Sequence, residues 1–139
     1  MTLRKLAVTA LMLGIAGTLT TIGPAQAAKD SVAENLRAWD PDNDGTIDLA
    51  EANKAAGARF DSLESDRDGT LDRKEMSSTK VDKKTFKNAD PDNDGTLTKD
   101  EYLTIVAARF QAADSDNDGT VSVAELGTKA GKALSRLLK

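Results

Sequence analysis

The stretch DPDNDGTIDLAE, Asp40–Glu51, returns three more times with few changes: ESDRDGTLDRKE (Glu64–Glu75), DPDNDGTLTKDE (Asp90–Glu101) and DSDNDGTVSVAE (Asp114–Glu125). Every copy places an oxygen donor at position 1 (Asp40, Glu64, Asp90, Asp114), at position 3 (Asp42, Asp66, Asp92, Asp116) and at position 5 (Asp44, Asp68, Asp94, Asp118). Position 6 is Gly, which supplies the positive-φ turn needed to wrap a short chain round an ion. Position 12 is Glu (Glu51, Glu75, Glu101, Glu125), long enough to close a shell with both oxygens. Four copies in register, each with Thr at position 7 and an aliphatic residue at position 8, set aside the alternative of four solvated acidic turns. The pattern implies hard, oxygen-preferring cations.

This donor order is similar to the twelve-residue loop of the EF-hand family. The spacing between copies is unusual for that family. Loops one to four begin at residues 40, 64, 90 and 114, leaving only Ala52–Leu63 between the first two and Tyr102–Ala113 between the last two. Each interval has room for a single helix that must serve both its loops. Leu49, Ala52, Ala56, Phe60 and Leu63 form one apolar stripe, and Leu103, Val106, Phe110 and Ala113 form another, both at helical spacing. A helix of about 15 residues is roughly 22 Å long, so each holds its loops at opposite ends. Loops two and three are then expected to pair at one end and loops one and four at the other, through Ile47, Leu71, Leu97 and Val121 at position 8. Pairing of one with two and three with four is the alternative, and requires Gly57 to fold the first helix back. The expected fold class is all-α, a compact three-helix bundle with four metal loops. Between the halves, Ser77-Ser78-Thr79 reads as a break, with Thr79 placed to cap a short helix through Val81 and Phe86. The tail from Leu126 carries Ala130, Leu134, Leu137 and Leu138 on one side and is expected to close the bundle. A partner or membrane contact for its basic face is the other reading.

Residues 1–27 read as a secretory leader: Arg4 and Lys5, an apolar run from Leu6 to about Ile22, and an Ala25-Gln26-Ala27 cleavage signature. The run is diluted by Gly14, Gly17 and threonines, which argues against a lasting membrane anchor. The domain would then be residues 28–139, and loss of Arg4 and Lys5 takes the net charge from −4 to −6. That balance disfavours nucleic acid and favours cations. The chain has no His and no Cys, which disfavours transition metals, disulfides and most catalytic constellations, so an enzyme is not expected.

Shells built wholly from oxygen suit Ca²⁺ or ions that imitate it, and are too large for Mg²⁺. The loops differ in charge. Loop one has five acids, with Asp48 at position 9. Loop two also has five, with Asp72 at position 9, but opens on Glu64, one methylene too long to bind an ion and the turn amides together. Loops three and four carry Thr98 and Ser122 at position 9, where a water can replace a carboxylate. A trivalent ion of similar radius is attracted to each carboxylate about half as strongly again as a divalent one.

The acid density, the 24-residue spacing and Pro at position 2 (Pro41, Pro91) resemble the lanmodulin family, small periplasmic lanthanide-binding proteins of methylotrophic bacteria. The resemblance runs through residues 28–139, including Glu125-Leu126 and Lys129-Ala130-Gly131 of the tail. It implies a compact three-helix bundle, ordering driven by metal, and preference for lanthanide(III) ions over Ca²⁺. It also implies ligands at positions 1, 3, 5, 9 and 12, with the position 7 carbonyl from Thr46, Thr70, Thr96 and Thr120. The chain departs from it at Ser65 and Ser115, which stand where Pro is expected, at Thr98 and Ser122, which stand where Asp is usual at position 9, and at Glu64, which is atypical at position 1. An exported lanthanide-binding protein for uptake, trafficking or storage is the leading expectation; an exported Ca²⁺ buffer or sensor is the alternative. One Met, Met76, after the leader argues against a Met-rich groove for target helices.

Overall fold

The computed structural model describes residues 24–139. The expected leader at residues 1–27 lies outside them, apart from its last four positions. The described chain is mostly helical. Helix α1 (Pro24–Trp39) leads into loop one, whose exit is the short strand β1 (Thr46–Asp48). Helix α2 (Leu49–Leu63) runs unbroken through Gly57 from the end of loop one to the start of loop two. A 3-10 turn over Glu75–Thr79 and helix α3 (Lys83–Ala89) lead to loop three. Helix α4 (Lys99–Ala113) repeats the role of α2 between loops three and four. Strand β2 (Thr120–Ser122), helix α5 (Val123–Leu126) and helix α6 (Lys129–Leu138) complete the chain.

Three of these helices start with the same device. Asp48, Thr98 and Ser122, at position 9 of their loops, accept the backbone N–H of the Glu at position 12, and that Glu accepts the N–H of the cap residue in return. This reciprocal capping satisfies two of the amides that a helix N-terminus leaves without partners. The last third of each of these metal loops is therefore also the start of a helix.

Helices α2, α4 and α6 pack on one another in pairs. Ala52, Ala56 and Phe60 of α2 are buried, with small residues letting α4 approach closely, while Leu49 at the helix start is exposed. On α4 the buried face is Tyr102, Ile105, Val106, Phe110 and Ala113, with Leu103 half-buried at its edge. Phe60 and Tyr102 meet edge to face, with ring centroids 5.8 Å apart, a geometry worth about 0.5–1.5 kcal/mol beyond the area buried. The tail closes the core as expected, with Leu126, Leu134, Leu137 and Leu138 buried. Gly131 is required there. A Cβ at this position would run into the backbone of Glu125 and Leu126.

Loop pairing follows the end-to-end arrangement. Strands β1 and β2 are antiparallel, with Ile47 opposite Val121, so loop one meets loop four. Leu71 and Leu97 form an isolated antiparallel bridge, exchanging N–H···O bonds of 2.8 and 2.9 Å, so loop two meets loop three. The alternative pairing is excluded because α2 does not fold back at Gly57. All four position 8 side chains are fully buried, which locks each loop pair to the core.

The connection between the halves corrects one expectation. Thr79 does not cap the following helix: its hydroxyl donates to the carbonyl of Met76 at 2.6 Å, and Lys80 then turns the chain with φ of 57°. The cap of α3 is Asp82, which accepts from the backbone N–H of Lys84 and of Thr85. A carboxylate three residues nearer the helix outcompetes the hydroxyl. Among the described residues, no helix is long and apolar enough to cross a membrane.

Candidate metal centres

The acids at the head of each loop are drawn together by their own backbone. In loop one the Asp40 carboxylate accepts from Asp44 N at 3.2 Å and from Gly45 N at 2.9 Å. Asp90 and Asp114 do the same with Asp94 and Gly95, and with Asp118 and Gly119. All three of these aspartates are buried, as the first donor of a wrapped loop must be. The residue at position 4 adopts positive φ in every loop, 57–64°. It is Asn43, Asn93 and Asn117 in three of them; Asn is among the few non-glycine residues that tolerate this conformation.

Loop two is built less well. Glu64 keeps only the bond from Gly69 N, lengthened to 3.3 Å, and the left-handed position 4 is Arg67 with φ of 64°. The misfit of Glu64 was legible from its length. The strain at Arg67 was missed, although the Asn of the other three copies is the signal that reveals it.

A second missed role belongs to the threonines. The N–H and the hydroxyl of Thr46, Thr70, Thr96 and Thr120 both donate to Oδ1 of the aspartate at position 5, at 2.7–2.8 Å. Each Thr thus aims Asp44, Asp68, Asp94 or Asp118. The recurrence of Thr at position 7 was visible in the sequence, and its purpose was not.

Four groups of carboxylates each bring ligand oxygens within 4.8 Å of one another: Asp40, Asp42 and Glu51; Glu64, Asp66 and Asp68; Asp90, Asp92 and Asp94; Asp114, Asp116 and Asp118. Only in loop one does the position 12 Glu join its group. Asp48, Asp72, Thr98 and Ser122 stand outside these groups. The first, third and fourth cap helices, while Asp72 accepts from the N–H of Lys74 and Glu75. The donor set suits a hard cation: carboxylates alone, close together, with no nitrogen or sulfur.

Electrostatics distinguishes the loops further. Glu51 is raised above the usual carboxylate range, first by burial and then by the charges of Asp42 and Asp48, against the pull of the Asp48 N–H. Asp92 is raised by its side-chain contact with Asp90. Like charges held close contribute to both shifts. Glu125 is instead lowered to about 2 by the backbone N–H groups of Ser122 and Ser115. Glu75 is lowered chiefly by the N–H of Ser65.

A family model described as EF hand matches residues 81–107 and 105–128, which contain loops three and four. No curated protein matches the chain. The two matches and the four acidic loops together fit an EF-hand metal-binding protein. Loops one and two lie outside the matched residues and rest on their repeated sequence and on the geometry above.

Proposed function

We propose that this chain is an exported EF-hand protein that binds lanthanide(III) ions and gains order as it does so, serving their uptake, trafficking or storage. Residues 1–27 would be the cleaved leader and residues 28–139 the domain at work in the periplasm. In each loop the side chains at positions 1, 3, 5, 9 and 12 would hold the ion, with the carbonyl of the position 7 Thr. The observation that carries this reading is the crowding of carboxylates in paired loops whose backbones already aim them inward. Loop one is the strongest case. Its five acids leave an excess of negative charge over any divalent ion, and a trivalent ion offsets more of it.

Crowded carboxylates also bear on folding. Without an ion they repel, and a core of this size has little stability to set against that repulsion. Metal binding would then add helix, starting from the capping boxes at the loop ends. The second reading is a Ca²⁺ buffer or sensor, favoured by loops three and four, where Thr98 and Ser122 lower the number of acids at the ligand positions to four. A competition titration of the purified domain, La³⁺ against millimolar Ca²⁺, separates the two. Displacement of Ca²⁺ by stoichiometric La³⁺ supports the lanthanide reading, and indifference to La³⁺ rejects it.

A further inference from the structure

The four position 12 glutamates are not equally available. A carboxylate has about four lone-pair sites, two on each oxygen. On Glu125 all four are taken: Oε1 accepts from Ser115 N at 2.8 Å and Ser115 Oγ at 2.9 Å, and Oε2 accepts from the N and Oγ of Ser122, both at 2.9 Å. On Glu75, Oε1 accepts from Ser65 N at 2.7 Å and Ser65 Oγ at 2.8 Å, and Oε2 from Asp72 N at 3.0 Å. Glu101 accepts only at Oε2, from the N and Oγ1 of Thr98. Glu51 accepts one bond, from Asp48 N to Oε2. The division follows position 2. Proline has no N–H and no side-chain donor, so Pro41 and Pro91 offer nothing to Oε1 of their glutamates, which accepts no hydrogen bond among the described residues. Serine offers two donors to the same oxygen.

We propose that Ser65 and Ser115 are affinity-setting residues. Each latches Oε1 of the closing glutamate of its loop, so that loops two and four surrender hydrogen bonds at that oxygen on taking an ion while loops one and three do not. This rests on the metal-binding reading above. Bonds to a carboxylate are stronger than those between neutral groups, so the latch competes with the ion for the same oxygen. The hydroxyl is the removable half of it, because the backbone N–H can stay on one lone pair while the ion takes the other. The outcome is two open loops and two latched ones, with each loop pair joining one of each kind: open one with latched four, open three with latched two.

The test is a site-resolved titration of the full domain with chelator-buffered La³⁺, and separately with Ca²⁺, followed by the NMR amide signals of the position 6 glycines. Gly45, Gly69, Gly95 and Gly119 report one loop each. In the Ser65→Ala, Ser115→Ala double variant the midpoints of Gly69 and Gly119 are expected to move to ion concentrations about tenfold lower, as loss of one competing hydrogen bond per loop implies. Gly45 and Gly95 should move less, and the Ser→Thr variants, which keep the hydroxyl, should bind as the parent does. Circular dichroism of the loaded variants confirms that the fold is intact. Midpoints at Gly69 and Gly119 that stay put, or move to higher concentration, overturn the latch while leaving metal binding standing. Glycine signals that respond to neither ion in the unaltered protein overturn the metal-binding reading, and the latch with it.

Discussion

The hydroxyl of Tyr102, the first buried residue of α4, donates a 2.7 Å hydrogen bond to the backbone carbonyl of Leu137 in the last turn of α6. That carbonyl belongs to the final turn, where a helix has no partner of its own to offer. Tyr102 is fully buried, and burial pushes its hydroxyl well above the usual tyrosine range, so it serves as a permanent donor. Tyr102→Phe keeps the ring against Phe60 and strands the carbonyl. The expected loss is about 1–2 kcal/mol, measured by denaturant unfolding of the metal-loaded protein; an unchanged midpoint would show that the tail is held by its leucines alone.

Loop two should be repairable. Glu64→Asp restores the second amide bond that the other three loops make, and Arg67→Asn removes a left-handed strain of about 1 kcal/mol. Calorimetry with a lanthanide should show the second-loop affinity rising with each change and furthest with both. A second-loop affinity that is unchanged or weaker in the double variant means the longer side chain is accommodated.

The cap of α3 gives a pH dependence away from the metal loops. The N–H of Thr85, aided by its hydroxyl, lowers Asp82 below its ordinary value. A carboxylate lowered on folding stabilises the native state above its unfolded pKa, near 3.8. That contribution is lost as pH falls from there through the folded value. Asp82→Asn should therefore melt a few degrees below the unaltered protein at neutral pH, and the gap should close once the medium is more acidic than the folded-state value. A gap that is constant with pH would assign the cap to geometry alone.

Trp39 is buried immediately before Asp40 and stands at the end where loop one meets loop four. Tb³⁺ emission excited selectively through Trp should be lost in Asp42→Ala, reduced in Asp116→Ala and nearly unchanged in Asp92→Ala. Equal loss in the Asp42 and Asp92 variants would remove support for the pairing of one with four in solution.

The loops, their spacing and the direction of pairing were legible because they repeat: a register repeated at 24-residue spacing leaves one helix between loops, and the length of that helix fixes which loops can meet. What escaped the sequence depends on contacts between distant residues or on local competition. Tyr102 sits one position before the stripe taken as the core of α4, and only the arrival of Leu137 gives its hydroxyl a buried partner. Nothing in the sequence marks Gly131 as the place where α6 meets the backbone of Glu125 and Leu126. Asp82 displaced Thr79 as a cap because the left-handed Lys80 moves the start of the helix. The serines at position 2 stood out as departures from proline, and their grip on Glu75 and Glu125 needed coordinates.

We propose that the four acid-rich loops hold trivalent ions in preference to Ca²⁺. Equilibrium dialysis of the purified domain against a lanthanide in the presence of millimolar Ca²⁺, followed by elemental analysis, tests it most directly. Three to four lanthanide ions per chain, with little Ca²⁺ retained, is the predicted result. Ca²⁺ filling the loops while the lanthanide stays in the buffer, or neither ion retained, would contradict it.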